Sequence, residues 1–97
     1  MPETTLSIGA VDFAFTVDHT AINTFLNDTT PADKIGPAFN FVMGCVAPDQ
    51  KAALKNALTS GGEIKGILAL QVAGTLVEEG ADTVKVAVKK PKPKPSA

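Results

Sequence analysis

The segment TLSIGAVDFAFTV, residues 5–17, alternates apolar and polar residues on both sides of Gly9-Ala10. A period of two residues is typical of strands with one buried face. A two-residue type II′ loop at Gly9-Ala10 places the apolar side chains of both strands on the same face. The pairs that this loop creates are Ile8 with Val11, Leu6 with Phe13, and Thr4 with Phe15. The pattern therefore predicts an N-terminal β-hairpin in this register.

Alternation returns near the C-terminus in TVKVAVKK, where Val84, Val86 and Val88 share one face and Lys85 lies opposite. This segment predicts a third strand that joins the N-terminal hairpin. Helical spacing occupies the residues between. The predicted fold class is α+β, with the N-terminal β-hairpin and a C-terminal strand in a small antiparallel sheet, packed by three to four central helices.

The central helices are predicted from caps, prolines and apolar spacing. Asp18 or Thr20 can cap a short helix that buries Ile22, Phe25 and Leu26. Prolines stand where a helix can start, because the first turn does not need their missing N–H. They occur at Thr30-Pro31, Gly36-Pro37 and Ala47-Pro48.

Two amphipathic helices are predicted after Pro48. The first runs to about Thr59, with Asp49 in its first turn, where the helix dipole favours a negative charge. Its apolar side consists of Ala53, Leu54, Ala57 and Leu58. After Gly61-Gly62 the longest helix is predicted from Glu63 to Glu79, ended by Gly80 as a left-handed cap. Its predicted buried arc consists of Ile67, Ala69, Leu70, Ala73, Leu76 and Val77.

Length and charge indicate one folded domain with a tail. A chain of 97 residues that is 44% hydrophobic and 20% charged is expected to fold as a single domain, residues 1–88. Residues 1–88 hold ten carboxylates and five lysines, whereas residues 89–97 hold four lysines and no acid. The lysine–proline tail, 89–97, is expected to be disordered. An acidic body without arginine argues against a nucleic-acid-binding protein.

Apolar runs and cysteine content restrict where the chain is expected to act. No apolar run reaches the roughly 18–20 residues that span a bilayer, and the N-terminus lacks the pattern of a secretion signal. We therefore expect a cytoplasmic protein without membrane association.

Cys45 is the only cysteine and His19 the only histidine, which excludes an internal disulfide and the usual four-ligand zinc site. The sequence predicts neither a metal nor a cofactor.

Catalytic patterns are also missing from the sequence. His19 follows Asp18, but neighbouring helical residues point about 100° apart, and no nucleophile motif accompanies them. Cys45 lies in an apolar stretch without a basic neighbour to lower its pKa, which predicts an inert, packed thiol. The glycines lack the spacing of a phosphate-binding loop. We therefore expect a protein that is not an enzyme.

The stretch PAFNFVMGCVAP, residues 37–48, is the strongest candidate for a binding surface. As a helix it places Phe39, Val42, Met43 and Val46 on one flank, and Phe41 and Cys45 on the other. A helix that is apolar nearly all round must be buried or covered by a partner. Two interpretations stay open at this point: pure core, or core on one flank and a partner on the other. The candidate partner-binding residues are Phe39, Asn40, Phe41, Met43 and Cys45.

Several stretches of the chain resemble the tail assembly chaperones of long-tailed bacteriophages. They are Pro37-Ala38, Asn40-Phe41-Val42-Met43, Lys51 to Leu54, LQVAGTLVEE from Leu70 to Glu79, and VKVAVKKP from Val84 to Pro91. The chain departs from that family pattern at Gly44-Cys45, where more polar residues are expected, and at Gly80, where an aromatic residue is expected.

The resemblance implies a non-enzymatic helper that acts in the host cytoplasm and is absent from the mature virion. Such a chaperone binds the tape-measure protein, keeps it soluble and helps to recruit tail-tube subunits, so the implied partners are the tape-measure and tail-tube proteins. In that scheme residues 89–97 link to an extension that recruits tube subunits. The second apolar flank then predicts that Phe41→Asp removes tape-measure binding and leaves the fold intact.

An alternative function is a small phage-encoded binding module, an inhibitor of a host protein or a minor virion component, without chaperone activity. A homo-oligomer is compatible with either function.

Overall fold

The computed structural model describes residues 3–80. The helices and strands in this range are β1 Glu3–Ile8, β2 Val11–Thr16, α1 His19–Asp28, α2 Ile35–Cys45, α3 Lys51–Leu58, β3 Thr59–Ser60, β4 Glu63–Ile64 and α4 Gly66–Gly80. β1 pairs with β2 and β3 pairs with β4, both antiparallel. This combination of helices and small antiparallel sheets confirms the α+β class. The predicted strand at residues 84–88 and the predicted tail lie outside the described residues.

The N-terminal hairpin has the predicted register. Ile8 pairs with Val11 across a loop in which Gly9 has φ +65°, a value that a type II′ turn requires at its first central residue. Phe13 and Phe15 of β2 point into the core and are 1% and 0% exposed. The alternation of apolar residues therefore determines which face of the hairpin is buried.

Helix α1 begins as predicted but buries less than predicted. Asp18 is the N-cap, and its carboxylate accepts a hydrogen bond from the Ala21 N–H at 2.7 Å. Ile22 is buried and Phe25 half-buried, whereas Leu26 is 58% exposed. The prediction for Leu26 is wrong, because α1 meets the core through the Ile22–Phe25 side and no described element covers the flank of Leu26.

Of the three prolines predicted to start helices, two lie at the beginning of helical structure. Pro37 lies in the first turn of α2, and Pro48 opens a 3-10 turn, Pro48–Gln50, that leads into α3. Pro31 lies instead in a turn where Thr30 and Asp33 exchange backbone hydrogen bonds of 3.0 and 3.2 Å. That turn redirects the chain before α2, so no helix starts at Pro31.

Helix α3 buries fewer residues than its sequence predicts. Leu54 and Leu58 are buried as predicted, and Ala57 is half-buried. Ala53 is exposed, because the face that meets the core is narrower than the apolar stripe.

A second hairpin, which was not predicted from the sequence, separates α3 from α4. Gly61 and Gly62 have φ +59° and +85°, so both central residues of the loop are left-handed, as a type I′ turn requires. The Lys65 N–H bonds to the Leu58 carbonyl at 2.7 Å and closes this hairpin. Helix α4 therefore begins at Gly66 rather than at Glu63.

Helix α4 packs through part of its predicted arc. Ala69, Ala73 and Leu76 are buried and Val77 is half-buried, whereas Ile67 is 78% exposed and Leu70 is also exposed. The predicted burial of Ile67 and Leu70 is wrong, because α4 turns its Val72 side toward the core.

Gly80 is not a left-handed cap, since it is helical and has no positive φ. A Cβ at this position would lie 2.7 Å from the Val17 Cβ, so the absence of a side chain permits close packing of α4 on the chain after β2.

Candidate partner-binding groove

Helices α1 and α2 form an antiparallel pair that closes one side of the core. The rings of Phe25 and Phe41 stack in parallel, with centroids 4.9 Å apart and an interplanar angle of 10°. Such aromatic pairs add stabilisation of about 0.5–1.5 kcal/mol beyond the area they bury. This contact is part of the packing of α1 against α2.

An open groove runs between these helices above the Phe25–Phe41 pair. Its volume is about 230 Å³. The residues that line it are Ala21, Thr24, Phe25 and Asp28 from α1 and Pro37, Asn40, Phe41, Gly44 and Cys45 from α2. Each set follows the i, i+3, i+4, i+7 spacing of one helix face. Two helices with an apolar floor between them can accept the apolar face of a third helix.

The structure separates the five predicted site residues into two groups. Asn40, Phe41 and Cys45 line the groove, whereas Phe39 and Met43 are half-buried and pack against the core. Phe41 is only 6% exposed, because α1 covers the flank that the sequence analysis left open to a partner. A charged residue at Phe41 would be buried against Phe25, so Phe41→Asp is now expected to unfold the chain. Contact of these residues with a partner remains a prediction.

The wall that α1 contributes was not predicted. Ala21, Thr24, Phe25 and Asp28 recur at helical spacing, and this periodicity was the available signal. From the sequence, this spacing predicted only that Phe25 lies in the core.

Gly44 keeps one end of the groove open. It is exposed, lines the groove, and has no atom within 4 Å of the position that a Cβ would occupy. A larger side chain therefore fits there without a backbone clash and would occupy space in the groove.

Acidic groups lie toward both ends of the groove. Asp28 lines it at the C-terminus of α1, where the helix dipole is also negative. Burial, and then the charge of Asp18, raises the pKa of the Cys45 thiol near the other end. Cys45 is thus a neutral packed thiol, and within residues 3–80 no cluster of His, Cys, Asp and Glu could hold a metal ion.

A second exposed apolar patch lies where α2 and α4 begin. It consists of Ile35, Ile67 and Leu70. Ile35 packs at Gly66, where an added Cβ would come within 2.6 Å of the Ile35 Cδ1. None of these residues lines the groove.

Within residues 3–80 no helix has the length and apolar character to cross a membrane.

Comparison with known proteins identifies the family. The family model of the phage tail assembly chaperones matches residues 4–90. A curated relative, the uncharacterized 11.3 kDa protein in the lys 3′ region of Haemophilus phage HP1 (strain HP1c1), is 38% identical over 50 residues. That match covers 52% of this chain and 49% of the relative, so the chain spans about half the length of this relative. No solved structure matches the chain. Since the family model covers most of its length, the chain belongs to the phage tail assembly chaperone family.

Proposed function

We propose that this chain binds the tape-measure protein in the groove between α1 and α2, keeps it soluble, and helps to recruit tail-tube subunits. The observation that supports this proposal is an open apolar groove between two helices in a member of the tail assembly chaperone family. The chain acts in the host cytoplasm and leaves before the virion is mature. It performs this task by binding alone, without catalysis.

A helical segment of the tape-measure protein fits the groove by its apolar face. Side chains at i, i+3, i+4 and i+7 of such a segment would lie over Phe25 and Phe41. The groove volume of about 230 Å³ is below the roughly 300–1,000 Å³ of typical small-molecule pockets. One groove therefore takes only a few side chains and binds weakly. Weak binding suits a chaperone that must release its client as tube subunits assemble.

The charge of the groove favours a client segment with basic residues beside its apolar stripe. Asp28 lines one end, and Asp18 acts on Cys45 near the other. Opposite charges speed association and select partners more than they raise affinity, and salt screens them. We expect Asp28→Asn to slow association in low salt and to have little effect in high salt.

The proposal is tested by co-expression with the tape-measure protein of the same phage. Gly44→Leu fills the groove without a backbone clash, and we expect it to reduce the soluble tape-measure protein at least fivefold. Gly74→Leu is the matched control, because Gly74 is also an exposed helical glycine with nothing within 4 Å of an added Cβ. It should leave the soluble amount unchanged.

Equal loss in both variants, or in neither, would exclude the groove as the client site. If the wild-type chain leaves the tape-measure protein insoluble, the chaperone function itself fails. A binding module directed at another protein, a host-protein inhibitor or a minor virion component, is then the better account.

A further inference from the structure

The register of α1 against α2 gives the groove between them two defined ends. Residues 29–34 connect the two helices, which run antiparallel, and Phe25 of α1 stacks on Phe41 of α2. A step of four residues toward the start of α1 is therefore matched by a step of four residues toward the end of α2. This register puts Ala21 opposite Cys45 at one end of the groove. The lining residues at the other end are Asp28 and Pro37.

The first end, which we call the small end, is lined by the short side chains of Ala21 and Cys45 and by Gly44. Gly44 is exposed, with no atom within 4 Å of the position of an added Cβ. The nearby carboxylate of Asp18 is engaged as the cap of α1, where it accepts the Ala21 N–H at 2.7 Å. The small end therefore has room for a large apolar side chain from a partner.

The second end, which we call the acidic end, contains an exposed carboxylate. Asp28 lines the groove there, and within residues 3–80 its carboxylate forms no hydrogen bond or ion pair. Asp33 and Lys34 precede α2 nearby, so carboxylates outnumber lysines around this end. The complement of such an end is a lysine or arginine, whose methylene stem can lie along the ring of Pro37 while its charge reaches Asp28.

Two helical turns separate the small end from the acidic end. Ala21 and Asp28 are seven residues apart on α1, and Pro37 and Gly44 are seven residues apart on α2. At a rise of 1.5 Å per residue, either wall is about 10.5 Å long. A partner helix that lies along the groove reaches both ends with two side chains that are also seven residues apart, because two turns return to the same face.

We propose that the groove recognises a helical protein segment by two side chains seven residues apart, a large apolar one in the small end and a lysine or arginine beside Asp28. This inference rests on the proposed function and names the pattern that the client segment carries. An apolar side chain between the two lies on Phe25 and Phe41. The acidic end then selects among apolar helices, because a segment without the basic residue leaves Asp28 without a partner.

NMR titration of the full, isotope-labelled chain with synthetic peptides tests this inference. The probes are helical alanine–glutamine peptides that carry a phenylalanine, a leucine four residues from it, and a lysine seven residues from it. They are made in both sequence orders, because a helix can enter the groove in either direction. Each control peptide has the same composition, but its lysine is moved by two residues, about 200° around the helix. In low salt we expect at least one probe to bind about threefold more tightly than its control, and high salt should remove the difference.

Variants of the chain assign the two contacts. Asp28→Asn should abolish the preference for the probe over its control, whereas Glu79→Gln, which removes an exposed negative charge outside the groove, should keep it. Gly44→Leu should weaken probe and control alike, because both peptides carry the phenylalanine. Gly74→Leu should weaken neither.

Equal binding of probes and controls to the wild-type chain would overturn the inference, as would a preference that persists in Asp28→Asn. If the peptides show no preference but Gly44→Leu still reduces the soluble tape-measure protein, this inference fails and the proposed function stands. If the wild-type chain does not keep the tape-measure protein soluble, the proposed function fails as well.

Two other occupants of the groove are distinguished in the same spectra. Nuclear Overhauser contacts of Thr24 or Gly44 with residues 81–97 in the free chain would assign the groove to the chain's own C-terminal segment. Groove signals that shift with protein concentration would assign it to a second copy. Either result would overturn the recognition of a client helix.

Discussion

Phe41 belongs to both the core and the floor of the groove. It is stacked on Phe25 and 6% exposed, whereas its neighbour Asn40 is exposed on the groove wall. One residue along the helix thus separates a structural position from a surface position. The sequence identified both residues as site candidates, but it could not separate their roles, because the covering helix α1 comes from elsewhere in the chain.

We predict that Phe41→Ala lowers the free energy of unfolding by about 3–5 kcal/mol, the usual cost of removing a buried aromatic side chain. Asn40→Ala should change it by less than about 0.5 kcal/mol. Urea denaturation of the two variants measures this difference. A loss below about 1 kcal/mol for Phe41→Ala would show that the ring is not packed as described.

We predict that the stability of the folded chain depends on pH through the Cys45 thiol. Burial raises its pKa above the ordinary value of 9.0, so the folded state holds the proton more tightly than the unfolded state. The stabilisation is complete below the unfolded pKa and is lost as the pH rises through the folded pKa. We expect the stability of the wild-type chain to fall above about pH 9 more steeply than that of Cys45→Ala. Parallel curves from urea denaturation between pH 7 and 10 would contradict this.

Elements defined by local chemistry were predictable, and those defined by distant contacts were not. The hairpin register follows from alternation around Gly9, and the start of α1 follows from the Asp18 cap. The β3–β4 hairpin was missed because its two-residue strands are too short to show alternation, so Gly61-Gly62 was interpreted as a helix end. Gln50 gave no sequence signal, since its bonds to β2 span more than 30 residues.

Two glycines of α4 should respond to alanine with opposite signs. Gly74 is exposed with free space around it, so Gly74→Ala should stabilise the chain by about 0.5–1 kcal/mol. Gly80→Ala places a Cβ 2.7 Å from the Val17 Cβ and Cγ1, and overpacking of this kind costs about 1–3 kcal/mol. Thermal unfolding should therefore raise the Tm of the first variant and lower that of the second. A rise in both would show that α4 does not approach Val17 closely.

The folded chain buries a core of apolar side chains but leaves several apolar regions open within residues 3–80. Among them are the groove between α1 and α2, the patch of Ile35, Ile67 and Leu70, and the exposed side chains of Val11 and Leu26. The sequence indicated that apolar surface exceeds what a small core can cover, but it assigned Ile67 and Leu70 to the core. Which faces stay open depends on how the four described helices pack on the β1–β2 hairpin and on one another, and helical periodicity alone carries no such information.

NMR titration of the full, isotope-labelled chain with the tape-measure protein of the same phage tests the central claim most directly. The account predicts that the amide signals of Thr24, Asn40 and Gly44 shift or broaden first, while those of Ile67 and Leu70 stay unchanged. Changes confined to Ile67 and Leu70, with the groove signals unaffected, would contradict it.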